Sequence, residues 1–389
     1  MLHSYVLYPI ILSVMKSRKL EVGSWKEEKY ELPNVKIVLA VFNEEKVIEK
    51  KLESIFNTTY PKEKISVHIG SDTSNDETEN IIRAFQKLNS AVHLTRFETR
   101  TGKPQIINQL INEIKIPHPH PFSEGEGGSG EIFLLTDANV FFSPTMLTEM
   151  MKHFQEKEIA VVGANVQNVL QSDKQIAEQE KFYIQRENHI KHSEGNVFGT
   201  MMGAFGGCYA IRANYFHAVP PNFIADDFYI CMKAMEQNGK AIMELDAVCY
   251  EDLNDSMSVE FKRKSRISTG NFQNLAAFKH ILLKPFSPLG FCFLSHKVIR
   301  WFGPFFILLI YFSNLFLAYG NKFYWFVFLL QNVLLLFVLL DEALLQAGKQ
   351  SKVLRLISYF YLMNFALLVG FFIWVKGVKT NVWSPTQRK

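Results

Sequence analysis

Three long stretches without a charged residue constrain this 389-residue chain more than anything else in it: Trp301 to Tyr319, Phe323 to Leu340 and Leu356 to Val375. Each is rich in Phe, Leu, Ile and Val. As helices they would measure roughly 27 to 30 Å, close to the hydrocarbon core of a bilayer at about 30 Å. Hiding three such helices in a soluble core would need a much larger protein. The spacing therefore predicts three membrane-spanning helices. Near the amino terminus, Tyr5 to Met15 is uncharged for eleven residues and contains Pro9. That is about 16 Å of helix, too short to span unaided. It reads as an interfacial helix, a tilted short span or a span without its start.

Basic residues orient these segments. Lys16, Arg18 and Lys19 follow the first apolar stretch, and Lys349, Lys352 and Arg355 stand between the second and third long runs. Both clusters favour the cytoplasmic side of a cell membrane and place the large polar region inside the cell. Lys376, Lys379, Arg388 and Lys389 argue the other way for the tail if every run spans, which leaves the side of the carboxyl end open. The expected organisation is a short membrane-associated segment over residues 1–20, a cytosolic domain over 33–285 and a multi-pass membrane domain over 286–379.

Composition excludes several classes. With 48% hydrophobic residues and four cysteines, the chain is neither disordered nor a disulfide miniprotein. A formal charge of +4, from 42 Lys+Arg against 38 Asp+Glu, is too small to indicate nucleic acid. Cys208, Cys231, Cys249 and Cys292 show no paired metal spacing and read as reduced packing residues.

The polar region alternates short β-rich runs with helical periodicity. Strands are expected at Val35 to Val41, Ile65 to Ile69, Val92 to Thr95, Ile132 to Thr136, Ala160 to Ala164 and Gly206 to Ile211. Helices are expected after the first two strands and near residues 104–114, 145–155 and 177–192. This alternation implies a mostly parallel α/β sheet covered on both faces, with ligands bound beyond the carboxyl ends of its strands. The Pro117 to Gly130 segment has three Pro and four Gly and reads as a surface loop in which His118 and His120 are solvated.

Acidic residues gather at the strand ends. The first strand runs into Asn43-Glu44-Glu45 and the second into Ser71-Asp72-Thr73-Ser74-Asn75-Asp76. Asp72 is placed to accept hydrogen bonds from a base or ribose, or else to close the turn with Ser74; Asp76 reads as a helix cap. Asp137-Ala138-Asn139 offers two oxygen-bearing side chains to a hard divalent cation, or forms an Asx turn. Lys103, after Gly102, faces a diphosphate or solvent. In Ala225-Asp226-Asp227-Phe228 one aspartate caps the following helix, and the second suits a general base. Arg263 and Arg266, three apart on one helical face, reach a leaving diphosphate or belong to a basic interfacial helix with Lys262 and Lys264.

The order of these motifs, with Gly206-Gly207 and Ala210-Ile211-Arg212 between them, resembles the membrane-bound family-2 glycosyltransferases, the group of cellulose, chitin and hyaluronan synthases. The resemblance covers roughly residues 33 to 300 and extends to the apolar helices. It implies a GT-A-like, Rossmann-like α/β domain that binds a nucleotide-sugar, usually a UDP-sugar, with Mg²⁺ or Mn²⁺. Asn43, Glu44, Asp72, Lys103, Asp137, Arg263 and Arg266 would then hold the donor, Asp137 and Asn139 the metal, and Asp227 would deprotonate the acceptor in an inverting transfer to a glycan or lipid-linked acceptor. Two departures stand out. The metal motif is Asp-Ala-Asn instead of Asp-any-Asp, and Arg263-Lys264-Ser265-Arg266-Ile267 lacks the Gln and Trp of the processive synthases. Transfer of one or a few sugars is thus expected; a processive polysaccharide synthase, a nucleotidyltransferase and an inactive scaffold of a polysaccharide-export complex are the alternatives.

Overall fold

The computed structural model describes residues 2–16, 31–115, 131–169, 175–252, 257–349 and 351–382. His118, His120, Arg388 and Lys389 lie outside the described residues. The polar region is built on eight strands: β1 (Asn34–Val41), β2 (Ile65–Ser71), β3 (Val92–Arg96), β4 (Glu131–Thr136), β5 (Val140–Phe142), β6 (Ile159–Val169), β7 (Cys208–Arg212) and β8 (Lys240–Asp252). They form one sheet in the order β3-β2-β1-β4-β7-β6-β8-β5. The strands β3, β2, β1 and β4 are parallel. Across the other half, β7 runs antiparallel to both β4 and β6, and β5 antiparallel to β8. Because β6 and β8 pair in parallel, only β7 and β5 run against the other six strands, and the sheet is mostly parallel as the alternation suggested.

Each face of the sheet is covered. Val35, Ile37, Leu39 and Val41 of β1 point into one core, and Val38 and Ala40 into the other. This strict alternation is what the two-residue period of a strand requires. Helices α2 (Ile48–Phe56), α3 (Thr78–Leu88) and α5 (Met146–Met151) pack on the first face; α4 (Lys103–Lys115) and α7 (Asp226–Glu236) pack on the second. From β1 the chain moves outward through β2 and β3, then returns to the other side of β1 as β4. That reversal opens a crevice beyond the carboxyl ends of β1 and β4, the place where doubly wound sheets bind ligands.

Two further helices join this domain to the apolar segments. The helix α6 (Gln175–Phe198) carries α1 (Tyr8–Lys16) on its surface, with the Tyr8 hydroxyl donating to Glu194 Oε1 at 2.7 Å. The helix α8 (Met257–Phe278) follows β8 and packs along the last apolar helix. Beyond it come α9 (Pro288–Cys292), a π-helical stretch Phe293–Val298, the short α10 (Ile299–Trp301), α11 (Gly303–Leu317), α12 (Lys322–Gln346) and α13 (Lys352–Val375). Asn321 and Ser351 cap α12 and α13 by accepting from the Phe323 and Leu354 N–H groups.

Two helices, α12 with 25 residues and α13 with 24, are long and apolar enough to cross a membrane. The run expected to begin at Trp301 is different. It contains Gly303-Pro304, and the helix breaks at Phe302, so that Pro288–Trp301 and Gly303–Leu317 meet at a bend of 58°. A proline early in α11 cannot continue the preceding helix, because its ring removes a donor and crowds the turn before it. This pair is a third crossing only if taken as one broken span. After α13 the chain comes back to the sheet domain: Asn381 donates to the Phe223 carbonyl at 3.2 Å and lies against Gly102. The described end of the chain thus returns to the polar domain.

Candidate active site

The sheet brings the strand-end residues together. On the first side of the crevice, the Asp72 carboxylate is fully buried and accepts from the Thr101 and Gly102 N–H groups at 2.6 and 3.2 Å. The Arg100 guanidinium stands 3.4 Å from the same carboxylate and lies over the Phe42 ring. Asp72 thereby holds the loop that carries Lys103. Asn43 adopts a left-handed φ of 53°, which Asn tolerates better than most residues. Its side-chain oxygen accepts from Asn75 N, and its own N–H donates to Ser74 Oγ. The Glu44 N–H donates to Thr78 Oγ1, and Asp76 Oδ1 accepts from Thr78 N. Asn43 and Glu44 therefore stitch the β1 loop to the β2 loop at the crevice rim.

At the end of β4, Lys103 Nζ donates to Asp137 Oδ1 at 2.6 Å and approaches the Gly206 carbonyl at 3.4 Å. Burial opposes the Lys103 charge, but the carboxylates of Asp137, Asp226 and Asp227 outweigh it and hold the ammonium protonated well above its ordinary range. Asp137 keeps about a third of its side chain exposed to the crevice, at 36%. Asn139 turns its amide nitrogen to Glu251 Oε1 on β8, 3.1 Å away. No group of three or more His, Cys, Asp or Glu around a metal position occurs among the described residues. The described residues offer a cation at this corner the Asp137 carboxylate, the Asn139 amide oxygen and, beside Asn139, the Glu251 carboxylate. That donor set fits a hard ion that takes its remaining ligands from phosphate and water.

The helix α7 begins with both aspartates, but its N-cap is Ala225 and no side chain caps it. Neither aspartate performs the capping expected of one of them. Asp226 is buried. Asp227 Oδ2 sits so close to Gly206 that a Cβ there would be 2.7 Å away. Burial, with the Asp226 charge adding to it, pushes the Asp227 carboxyl up to about 6; the Phe228 N–H, Lys103 and Lys191 pull the other way. Such a group changes protonation close to neutral pH, as a general base must.

Helix α8 supplies the outer wall. Arg266 is exposed toward the crevice and lies within the field of Asp226, Asp137 and Asp227. Arg263, one turn earlier, reaches Glu260 at 3.5 Å, and Lys264 pairs with Glu260 as well. Arg266 is thus joined to the acidic cluster, while Arg263 is held along its own helix.

Residues that the motif pattern did not single out fix this geometry. Gln273 donates to the Asn222 carbonyl at 2.8 Å and accepts from Ile224 N at 3.0 Å; Asn274 donates to the Ala225 carbonyl at 3.1 Å. Together they grip the loop that delivers Asp226 and Asp227. A Cβ at Gly270 would stand 2.8 Å from Ala225, so only glycine lets α8 come this close. On the other side, fully buried Lys51 of α2 donates to Thr136 Oγ1 at 2.9 Å and to the Val140 carbonyl, pinning the turn that bears Asp137 and Asn139. Burial lowers the Lys51 ammonium to about 8. A lysine among Ile48, Leu52 and Ile55 on an apolar helical face was the available signal.

A Glycosyl transferase family 2 model matches residues 36–219, and a Glycosyl transferase family group 2 model matches residues 132–340, more than half of the chain. The chain belongs to glycosyl transferase family 2. The chain is 27% identical over 191 residues to a beta-monoglucosyldiacylglycerol synthase of Trichormus variabilis, covering 49% of the chain and 36% of that protein. It is 26% identical over 141 residues to a dolichyl N-acetyl-alpha-D-glucosaminyl phosphate 3-beta-D-2,3-diacetamido-2,3-dideoxy-beta-D-glucuronosyltransferase of Methanococcus voltae, covering 35% and 40%. The matches thus span two fifths or less of those curated relatives. Among solved structures, the mannosyltransferase PcManGT of Pyrobaculum calidifontis, in complex with GDP-Man and Mn²⁺, superposes with a TM-score of 0.63 at 17% identity, covering 95% of this chain and 94% of that one. At that identity the likeness establishes the shared GT-A fold.

Proposed function

We propose that the transferase is membrane-anchored and moves a sugar, with inversion, from a nucleoside diphosphate sugar to a lipid-linked or glycan acceptor. The observation that carries this reading is the Asp227 carboxyl, lifted to about 6 by burial and set across Gly206 from the Lys103–Asp137 pair. Asp227 takes the proton of an acceptor hydroxyl; the oxygen forms a bond to the anomeric carbon as the bond from that carbon to the diphosphate oxygen breaks. Charge then grows on the departing diphosphate, and Lys103 and Arg266 stand where cations would stabilise it. Asn43 and Glu44 line the donor side, Asp72 holds the loop that carries Lys103 from beneath it, and Arg263, paired with Glu260, adds positive charge one turn before Arg266. Asp137 and Asn139 would hold a Mg²⁺ or Mn²⁺ ion, which when bound neutralises phosphate charge.

The relatives named for glycolipid and dolichyl phosphate chemistry support a lipid-linked acceptor, as do α12 and α13 beside the catalytic domain. The structural relative's complex with GDP-Man and Mn²⁺ makes a guanosine donor as reasonable as the uridine donor the motifs suggested, and supports a divalent ion. The deciding experiment offers the detergent-purified protein a panel of radiolabelled UDP- and GDP-sugars with membrane lipid extract, with and without Mn²⁺. Label should enter lipid-extractable product from one donor, and Asp227→Asn should abolish it. Undiminished transfer by Asp227→Asn would remove that residue from the role.

A further inference from the structure

The helix α1 is apolar on nearly every side, yet one narrow seam of it is covered. Tyr8 and Leu12 are buried where α1 packs on α6, as is Ser4 in the π-helical stretch His3–Leu7 just before it. Val6, Ile10 and Val14 recur at four-residue spacing on another side and stay about half exposed, at 43%, 53% and 62%. Apolar surface of this kind suits lipid and is costly in water. From His3 to Lys16 the helical segment measures about 21 Å, too short to cross a bilayer and long enough to lie in its headgroup region. It also stands at the head of the apolar helices: Arg300 of α10 donates to the Ser4 carbonyl at 3.1 Å and lies over the Tyr5 ring.

Between α1 and α6 runs an open groove of about 400 Å³. Its lining has two chemistries. Pro9, Leu12 and Ile190 are apolar, whereas Gln185, Arg186, His189 and Ser193 are spaced along one face of α6. Each of these four polar side chains can donate a hydrogen bond, and none is a carboxylate. Pro9 has no N–H to offer the carbonyl one turn before it, that of Tyr5, and Arg186 donates to that carbonyl from the groove. Among the described residues Arg186 forms no ion pair, and Gln185, His189 and Ser193 form no hydrogen bond.

Such a groove suits an amphiphile whose head is negative and accepts hydrogen bonds. A guanidinium matches phosphate oxygens in both geometry and charge. Free phosphate would leave the Pro9 and Leu12 side of the groove unfilled. We propose that the groove between α1 and α6 is a docking site for an anionic phospholipid, with its phosphate on Arg186 and His189 and its acyl chains along the apolar side of α1. This lipid fastens α1 to the bilayer and takes no part in sugar transfer. The inference rests on the membrane-anchored reading of the chain and not on the role of Asp227.

Native mass spectrometry of the full chain released from detergent tests the site. After equilibration with dioleoylphosphatidylglycerol or dioleoylphosphatidylcholine, the wild type should retain one molecule of the anionic lipid at an about tenfold lower concentration than the zwitterionic one, as a charged hydrogen bond would give. Arg186→Gln combined with His189→Gln should remove that preference. Lys87→Gln, which deletes a charge from α3 of the sheet domain, should keep it. Equal retention of the two lipids by the wild type, or the same loss in Lys87→Gln, overturns the proposal. So does occupation by inorganic phosphate or by a second copy of the chain in place of lipid. If the double variant does not fold once the Tyr5 carbonyl loses its donor, Gln185→Glu decides. A carboxylate set beside the phosphate should raise the phosphatidylglycerol concentration needed severalfold and leave phosphatidylcholine retention as it was; undiminished phosphatidylglycerol retention overturns the proposal. Retention of neither lipid would sink the membrane-anchored reading itself, whereas equal retention of both sinks the site alone.

Discussion

Gly370 of α13 and Ser268 of α8 are packed so closely that a Cβ on the glycine would stand 2.4 Å from the Ser268 Cβ. Ser268 Oγ donates to the Leu367 carbonyl at 2.8 Å and Thr269 Oγ1 to the Gly370 carbonyl at 3.2 Å. One turn further along α8, Gln273 and Asn274 hold the loop before Asp227. An apolar helix thus reaches the proposed base through one intervening helix. Gly370→Leu should force these helices apart at a cost of about 1–3 kcal/mol, typical of overpacking. A lowered Tm together with reduced turnover in detergent would be the readout; unchanged values for both would refute the coupling.

Asp227→Asn should lower kcat by at least ~100-fold while nucleotide-sugar affinity persists, because the change removes proton acceptance and leaves shape intact. With Asp227 as the proposed base, its acid form is the inactive one. Since burial places its titration near 6, kcat/KM should climb through about pH 6 and level off above it. A flat profile across that range would exclude a base with this environment.

Asp72→Ala should damage the donor side. The substitution strips two backbone N–H groups and Arg100 of their acceptor, at a cost of about 1–3 kcal/mol for unmade bonds. The loop bearing Lys103 then loosens, so calorimetry should record weaker nucleotide binding and thermal melting should occur earlier. Retained affinity would show that the loop is held by other means.

Lys51→Met tests the turn under Asp137 and Asn139. Methionine preserves much of the volume but donates nothing to Thr136 or Val140. The Mn²⁺ concentration needed for half-maximal activity should rise severalfold with little change in the pH profile. Titration of activity with metal in EDTA-treated protein checks this.

Gly206→Ala isolates the base geometrically. The three atoms nearest the new Cβ all belong to the Asp227 side chain, with Oδ2 at 2.7 Å and Cγ at 3.1 Å, so it is this side chain that must swing away. A Tm near that of the wild type with activity reduced by about tenfold or more is expected. Full activity would mean that the carboxylate has no fixed place.

Much of the polar domain was readable because its strands are short apolar runs separated by strongly periodic helices. Val35 to Val41 and Ile132 to Thr136 could hardly be anything else. The strand β5 escaped because three residues carry no period, and β8 because Glu244 and Asp246 interrupt its apolar pattern. The break at Phe302 was concealed by hydropathy, which counts charges and overlooks a Gly-Pro pair. The strand-end acids announced the crevice, since carboxylates at the ends of buried strands have few other uses. Gln273 and Asn274 announced nothing. Their acceptors are backbone carbonyls some fifty positions away, 51 for Gln273 and 49 for Asn274, and a backbone carbonyl has no letter in a sequence.

At Gly206 the backbone itself is the spacer between opposite tasks, with Lys103 on its carbonyl and the Asp227 carboxylate against its Cα. On the proposed mechanism, the gap in which a sugar carbon changes partners is gauged by peptide geometry, the least variable dimension in any protein. Side chains around the crevice are free to diverge toward new donors or acceptors while this gauge stays constant.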